Sequence, residues 1–256
     1  MMTISRRDCP GRRLTALCFV PVLTALTAAG AAAHAQTPEG GGQFSRANTR
    51  LFLTNHLDNV PLPSILHYDF EKRGSLEEPF RDSIDLTLSD AGEGKRKVEF
   101  EYFTGARNQY VHPITDVEGN PVITIFLQRD VVDMQDRTDG SSLYFQNAIK
   151  QALEDDAQVK HVEFKYDGRV VDGVEIRVAP YLNDPHQDEL KAFVNKYYVF
   201  TLSEAVPGDV YELRTVVPNT QAGQSSNQDS AALLVESLRL SDVRPLRGTP
   251  DNEQQQ

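Results

Sequence analysis

Three aspartates make up the most suggestive polar group in the sequence. Asp130, Asp133 and Asp136 are spaced i, i+3 and i+6 in a segment with helical periodicity, so they share roughly one side of a helix. Carboxylates grouped in this way could hold a hard cation or serve as a general acid and base. However, a helix with one apolar side needs a polar opposite side in any case, and Asp133 can pair with Arg137 one turn later. The pattern therefore favours a solvated helix face over a chemical site.

A second candidate is the polar segment of residues 184–189, in which His186 and Asp188 could bind a metal or transfer a proton. An envelope hydrolase would need Asp130 or Asp133 to meet His186 in one cleft. The chain has no H-x-x-x-H pair and its other histidines stand singly, so a preformed zinc site is not expected. We predict no catalytic residue, no metal site and no cofactor.

Other chemistries lack their sequence motifs. The glycine-rich loops that cradle nucleotide phosphates are absent, as are the G-x-S-x-G and S-x-x-K patterns of serine nucleophiles. Both cysteines, Cys9 and Cys18, lie before the expected start of the mature chain, which excludes thiol catalysis and thiolate metal sites. The sequence thus favours a binding protein, or an adaptor that presents a sheet edge to a protein partner, over an enzyme.

Residues 1–35 have the features of a secretory signal peptide. Four arginines precede a short apolar run at residues 14–26, and Ala33-His34-Ala35 fits a cleavage site. The apolar run is too short to span a membrane. Ser-Arg-Arg at residues 5–7 resembles a twin-arginine signal but lacks the hydrophobic residues that normally follow, which favours the general secretory route. We predict a periplasmic protein with no membrane span in its mature chain.

Removal of the signal peptide makes an acidic chain more acidic. The full sequence has 26 basic and 37 acidic residues, and residues 1–35 contain four arginines and one aspartate, so the formal net charge falls from -11 to about -14. Such a surface repels phosphate backbones and anionic headgroups. We predict no nucleic-acid partner and no electrostatic docking to membranes, whereas the charge is compatible with a hydrophobic small molecule or a protein partner.

Alternation of apolar and polar residues predicts a chain dominated by antiparallel strands. The predicted strands are residues 50–55, 64–71, 84–89, 98–102, 121–127, 162–166, 170–178, 197–202, 210–217 and 234–240. Asp167-Gly168 predicts a tight hairpin between two of them. The last segment would also tolerate a helix. The preceding residues, 219–230, lack large apolar side chains and predict a disordered loop.

The segment of residues 121–155 changes the hydrophobic period. Its first part, residues 121–127, has no alternation and is predicted to be the most deeply buried strand. Residues 129–137 are predicted to form a first helix. Apolar residues then recur at helical spacing from Phe145 to Leu153, which gives a second helix one continuous apolar face, and either of two preceding serines can cap it.

These elements predict a mainly β protein of the β-rich α+β class. We expect a single strongly twisted antiparallel sheet or unclosed half-barrel, with two mid-chain helices packed on its concave face. This single domain is predicted to cover residues 49–247, between a flexible linker at residues 36–48 and a disordered tail at residues 248–256. Over most of residues 50–240, the strand order, helix placement and compartment resemble the half-barrels of periplasmic lipoprotein carriers of the LolA and LolB type. That resemblance implies acyl-chain binding between the sheet and the helices.

Aromatic side chains are concentrated on the predicted strands and could either line an apolar cavity or fill the core. The working hypothesis is a soluble periplasmic carrier for a hydrophobic ligand or a lipidated partner. On this hypothesis, eight residues are expected to line the cavity. They are Tyr68, Phe70, Phe100, Tyr102, Phe145, Ile149, Tyr198 and Phe200.

Overall fold

The computed structural model describes residues 44–220 and 232–246, and nine strands in these ranges form one antiparallel sheet. The strands are β1 (Ser64–Gly74), β2 (Phe80–Gly92), β3 (Lys95–Tyr102), β4 (Ile114–Thr115), β5 (Gln158–Tyr166), β6 (Arg169–Val178), β7 (Tyr197–Leu202), β8 (Val210–Val217) and β9 (Leu234–Pro245). Their order is β4-β3-β2-β1-β9-β8-β7-β6-β5, so the sheet is open, with β4 and β5 at its edges. The predicted signal peptide and tail lie outside the described residues, as do most of the predicted linker and loop.

The pairing of β1 with β9 joins two meanders into one layer. Strands β1 to β4 follow each other on one side and β5 to β9 on the other. The first and last strands meet in the middle, where Tyr68 lies opposite Leu240 and Phe70 opposite Leu238. Apolar residues on one face of both strands are thereby brought side by side, as the predicted alternation requires.

Four helices accompany the sheet within the described residues. They are α1 (Arg46–Phe52), α2 (Val122–Arg137), α3 (Ser142–Asp155) and α4 (Gln187–Leu190). Helices α2 and α3 lie between β4 and β5 in sequence, as predicted. The Ser141 hydroxyl caps α3 by accepting a hydrogen bond from the N–H of Tyr144. The predicted fold class, mainly β with one unclosed antiparallel sheet and mid-chain helices, is confirmed.

Two predictions of local structure are wrong. Residues 121–127 are not a strand but the first turns of α2, which begins at Val122. An apolar run without alternation fits a buried helix as well as a buried strand, and here the Asn120 side chain accepts a hydrogen bond from the N–H of Val122 at the helix start. Residues 50–55 are likewise not a strand, because α1 occupies residues 46–52 and its Ser45 cap accepts from the N–H of Asn48.

The junction between α2 and α3 depends on the small size of Gly140. A Cβ at this position would lie 2.4 Å from Cζ and 2.7 Å from Cε2 of the fully buried Phe145 ring. We therefore expect Gly140→Ala to lower the free energy of unfolding by about 1–3 kcal/mol, because the core would have to shift to admit one methyl group. Urea denaturation measures the change.

The matched control is Gly119→Ala, which also precedes a helix. Its Cβ would meet its nearest neighbours at 3.6 Å, an ordinary contact distance, so a much smaller change is expected. Equal losses for the two variants would show that the contact with Phe145 does not constrain the junction.

Candidate functional site

The eight residues predicted to line a ligand cavity are brought together, but as a packed core. Seven of them are buried in one hydrophobic cluster, and Phe100 is partly buried against it. The hydroxyl of Tyr68 accepts a hydrogen bond from the Asn120 amide at 3.0 Å, and that of Tyr198 donates to Asp130. The apolar face of the sheet therefore meets the apolar faces of the helices directly, and the hydroxyls of Tyr68 and Tyr198 find hydrogen-bond partners within the core.

A groove lies instead among the helices, and it has a volume of about 890 Å³. Its lining comes from α1 and its flanks, α2 and α3, with no contribution from a strand. The lining residues are Phe44, Asn48, Phe52, Leu53, Thr124, Leu127, Gln128, Val131, Gln146, Asn147, Ile149, Lys150, Gln151, Leu153 and Glu154. Of the eight residues predicted from the sequence, Ile149 alone is among them.

The groove has a buried floor and exposed walls, both apolar. Val131, Ile149 and Leu153 form part of the floor and are buried. On the wall beside them, Phe44 is 60% exposed, Phe52 41% and Leu53 58%. Three large apolar side chains on the lining of one groove are thus left open to solvent, a feature that is common at ligand and protein interaction sites.

Helix α1 is held against the end of α3 by hydrogen bonds centred on Ser45. The Ser45 hydroxyl donates to the carbonyl of Leu153 at 2.9 Å, and the Ser45 N–H donates to the Glu154 carboxylate at 3.2 Å. The Asn48 amide donates to the same carboxylate. Together, the Asn48 amide and the Ser45 N–H hold the pKa of Glu154 below its usual value. Because Leu51 on α1 is buried in the core, Phe52 is left at the groove.

The rim of the groove is mostly made of side-chain amides. The Gln146 amide on α3 donates a hydrogen bond to Gln128 on α2 at 3.2 Å, which ties the two helices across the groove. Lys150 and Glu154 are the charged residues of the lining. Within residues 44–220 and 232–246, Glu154 is engaged by α1, whereas Lys150 has no carboxylate within 4.0 Å.

The three aspartates of the sequence pattern have three different environments. Asp130 is buried and pairs with Lys196 and Tyr198, so the prediction that it lies on a solvated face is wrong. Asp133 is partly buried and lies 3.0 Å from Arg129, while Asp136 is exposed. The physical reason is that Asp130 lies on the buried face of α2, one turn after Phe126 and one turn before Met134, where the buried Lys196 neutralises its charge.

His186 does not join these carboxylates. It precedes α4, where its Nδ1 lies 3.4 Å from Glu189, and its ring stands edge-on to Tyr144. Among the interactions of the described residues, none joins His186 to Asp130 or Asp133, so the constellation expected of a hydrolase is not assembled. Nor does this part of the chain contain a group of three His, Cys, Asp or Glu residues that could hold a metal ion.

Sequence reasoning missed the groove because it assigned residues 44–48 to a linker and the following residues to a strand. The available signal was Ser45 as a helix cap, followed by Ala47 and Leu51 at a spacing of i, i+4. This short pattern is weak by itself, since seven residues give less than two helical turns.

The comparisons with known proteins concern architecture. No protein-family model matches the chain, and a search of curated proteins finds no match. Several solved structures are similar to it, among them the following three. One is described as an outer membrane lipoprotein-sorting protein domain from Vibrio parahaemolyticus, at 12% identity, covering 74% of this chain and 88% of the other, with a TM-score of 0.22.

The second is a LolA superfamily protein from Nitrosomonas europaea, at 9% identity, 82% and 96% coverage and a TM-score of 0.22. The third is a DUF1329 family protein from Desulfovibrio piger, at 11% identity, 80% and 92% coverage and a TM-score of 0.24. At these values the likeness is one of architecture alone. Separately, none of the helices within the described residues has the length and apolar character needed to cross a bilayer.

Proposed function

We propose that this protein is a periplasmic carrier that shelters the apolar part of an amphiphile in the groove formed by α1, α2 and α3. The observation that carries the proposal is the open groove of about 890 Å³, which has an apolar floor and three exposed apolar residues on its wall. Its size falls within the range of roughly 300–1,000 Å³ typical of small-molecule sites. The periplasmic location rests on the signal peptide predicted at residues 1–35.

The groove can accept a ligand without any rearrangement of the core, whereas the cavity predicted from the sequence cannot. The aromatic residues beneath the helices are already packed against each other, so a ligand there would have to displace core side chains. In the groove, a ligand covers side chains that now face water. Burial of methylene groups supplies about 0.8 kcal/mol each, so about ten of them give roughly 8 kcal/mol before the entropy lost on binding. Because a micromolar affinity corresponds to about 8 kcal/mol after that entropy is subtracted, ten methylene groups alone are expected to give binding weaker than micromolar.

The proposal is tested by titrating protein that begins at residue 36 with a fluorescent sixteen-carbon fatty acid. We expect saturable binding, and a Phe52→Asp, Leu53→Asp double variant is expected to bind at least tenfold more weakly, because two wall residues become charged. Both residues are exposed, so the variant should keep its fold, which circular dichroism checks.

The matched control is Leu143→Asp, at an apolar residue that is 65% exposed on α3 but does not line the groove. It should leave the affinity unchanged. Absence of saturable binding to the unmodified protein, or equal losses in the wall and control variants, would contradict the carrier proposal.

The adaptor alternative stays a prediction. The edge it would use is β5, a nine-residue strand that pairs with β6 on one side and with no other strand among the described residues. Lys160 and Lys165 on this strand are exposed, which is a common protection of sheet edges against pairing with another chain. The groove therefore supports the carrier more strongly than the edge supports the adaptor.

A further inference from the structure

We propose that the groove selects a single-chain amphiphile with an anionic headgroup, and that Lys150 is the residue that recognises the headgroup. This inference rests on the carrier function and names its ligand class. Its starting point is that Lys150 is one of two charged residues on the lining of an apolar and amide-rimmed groove, the other being Glu154. Among the described residues, Lys150 has no carboxylate within ion-pair distance.

The packing of α1 explains why Lys150 is available. Glu154 follows Lys150 by four residues on α3, a spacing at which opposite charges ordinarily pair along a helix. Here the Glu154 carboxylate instead accepts hydrogen bonds from the Ser45 N–H and the Asn48 amide. The contact between α1 and Glu154, which forms one wall of the groove, thus also occupies the carboxylate that Lys150 would otherwise pair with. Lys150 therefore remains at the rim as a cation without a carboxylate partner among the described residues.

Neighbouring groups on the rim fit the same headgroup. Asn147 and Gln151 lie one helical turn before and one residue after Lys150, and both line the groove. Their amide N–H groups can donate hydrogen bonds to the oxygens of a carboxylate or phosphate, beside the ammonium group. A cationic headgroup would meet Lys150 as a like charge, and a neutral one would gain nothing from it.

The charge of the whole molecule makes this lysine more important. The formal net charge is -11 for the full sequence and about -14 without residues 1–35, so an anionic amphiphile is repelled by most of the surface. A single cation at the mouth of the groove creates a local exception, and with about 890 Å³ the groove has the size of a site for one small molecule. The general repulsion of anions predicted from the composition is thus compatible with anion recognition at this one place.

The test uses four probes with the same twelve-carbon chain: dodecanoate, dodecyl phosphate, dodecanol and dodecylammonium. Each displaces the fluorescent fatty acid from protein that begins at residue 36, at low ionic strength because an exposed charge is screened by salt. We expect dodecanoate, dodecyl phosphate or both to bind at least fivefold more tightly than dodecanol, and dodecylammonium to bind most weakly. The comparison of the first two probes identifies the headgroup as a carboxylate or a phosphate.

Two variants of Lys150 and one control complete the test. Lys150→Gln should remove the preference for anions over dodecanol, and Lys150→Glu should reverse it in favour of dodecylammonium. Lys160→Gln, at an exposed lysine on β5 outside the groove, should retain the preference. Because Lys150 is exposed, neither of its variants should disturb the fold.

The two levels of the proposal fail in different ways. Equal affinity for dodecanoate, dodecyl phosphate and dodecanol, or an anion preference unchanged in Lys150→Gln, would overturn headgroup recognition while leaving the groove as a binding site. Absence of saturable binding by all four probes would overturn the carrier function and this inference together.

Discussion

Replacing Glu236 by Gln is expected to lower the free energy of unfolding by about 3–5 kcal/mol, which is typical when one partner of a buried ion pair is removed. Glu236 is 1% exposed on β9. Its carboxylate accepts two hydrogen bonds from the Arg129 guanidinium, at 2.8 and 3.2 Å, and lies 2.7 Å from Nζ of Lys72. Without the negative charge, Lys72 would keep only Glu77 and Asp133 as carboxylate partners, and Arg129 only Asp133. Urea denaturation at neutral pH measures the loss.

The same carboxylate makes stability depend on pH. Burial by itself would raise the pKa of Glu236, but Arg129 and Lys72 outweigh burial and lower it to about 2. Because the folded pKa is below the unfolded value of 4.5, the stabilisation is fully present above about pH 4.5 and is lost as the pH falls towards 2. The difference between the unmodified protein and Glu236→Gln should therefore shrink between pH 5 and pH 2.

Glu71→Gln is the matched control for Glu236. Glu71 lies on the other face of the sheet, on β1, and pairs at 2.5 Å with the exposed Arg81. Its loss should cost no more than about 1 kcal/mol, as for other solvent-exposed pairs. If Glu236→Gln and Glu71→Gln lowered the free energy of unfolding by the same small amount, the ion pairs of Glu236 would stabilise the fold no more than a surface pair does.

The second large effect is expected at the buried pair of Asp130 and Lys196. Either Asp130→Leu or Lys196→Met would leave one buried charge without its partner, so each should cost about 3–5 kcal/mol. The double variant removes both charges and should cost several kcal/mol less than the sum of the two single variants. Thermal or urea unfolding of all four proteins gives the coupling energy.

The neighbouring tyrosines support this expectation. Burial, followed by the charge of Asp130, raises the pKa of Tyr198 well above its usual value, so its hydroxyl stays protonated and can donate. In the double variant, Tyr198 keeps Tyr181 as a partner at 3.2 Å. Additive losses in the cycle would mean that Asp130 is stabilised by Tyr198 rather than by Lys196.

The strands could be predicted because their signal is local. In a half-buried strand, side chains alternate between core and solvent, and the burial of Leu66, Tyr68 and Phe70 on β1 follows the alternation in the sequence. The hairpin signal at Asp167-Gly168 is local as well, because this residue pair favours a tight turn. In the structure, both residues adopt the positive φ that such a turn requires. Helix α3 was predicted from its apolar spacing.

The groove could not be predicted, because its shape depends on how three helices pack and not on the pattern within any one of them. Helix α1 is too short to show a period, and the start of α2 has the same composition as a buried strand. The buried ion pair of Lys72 and Glu236, in contrast, does have a signal in the sequence. Lys72 and Glu236 each continue the apolar face of a strand, where a charge predicts a buried partner.

The central pairing of β1 with β9 has a consequence for the order of events during synthesis. In this ladder, the Ser241 hydroxyl donates to the carbonyl of His67, across 174 residues. Contacts between residues so far apart in sequence form late in folding, because the intervening chain must first be made and ordered. The sheet cannot be completed until β9 has emerged from the ribosome, so the two meanders are made before the strand pair that joins them can form.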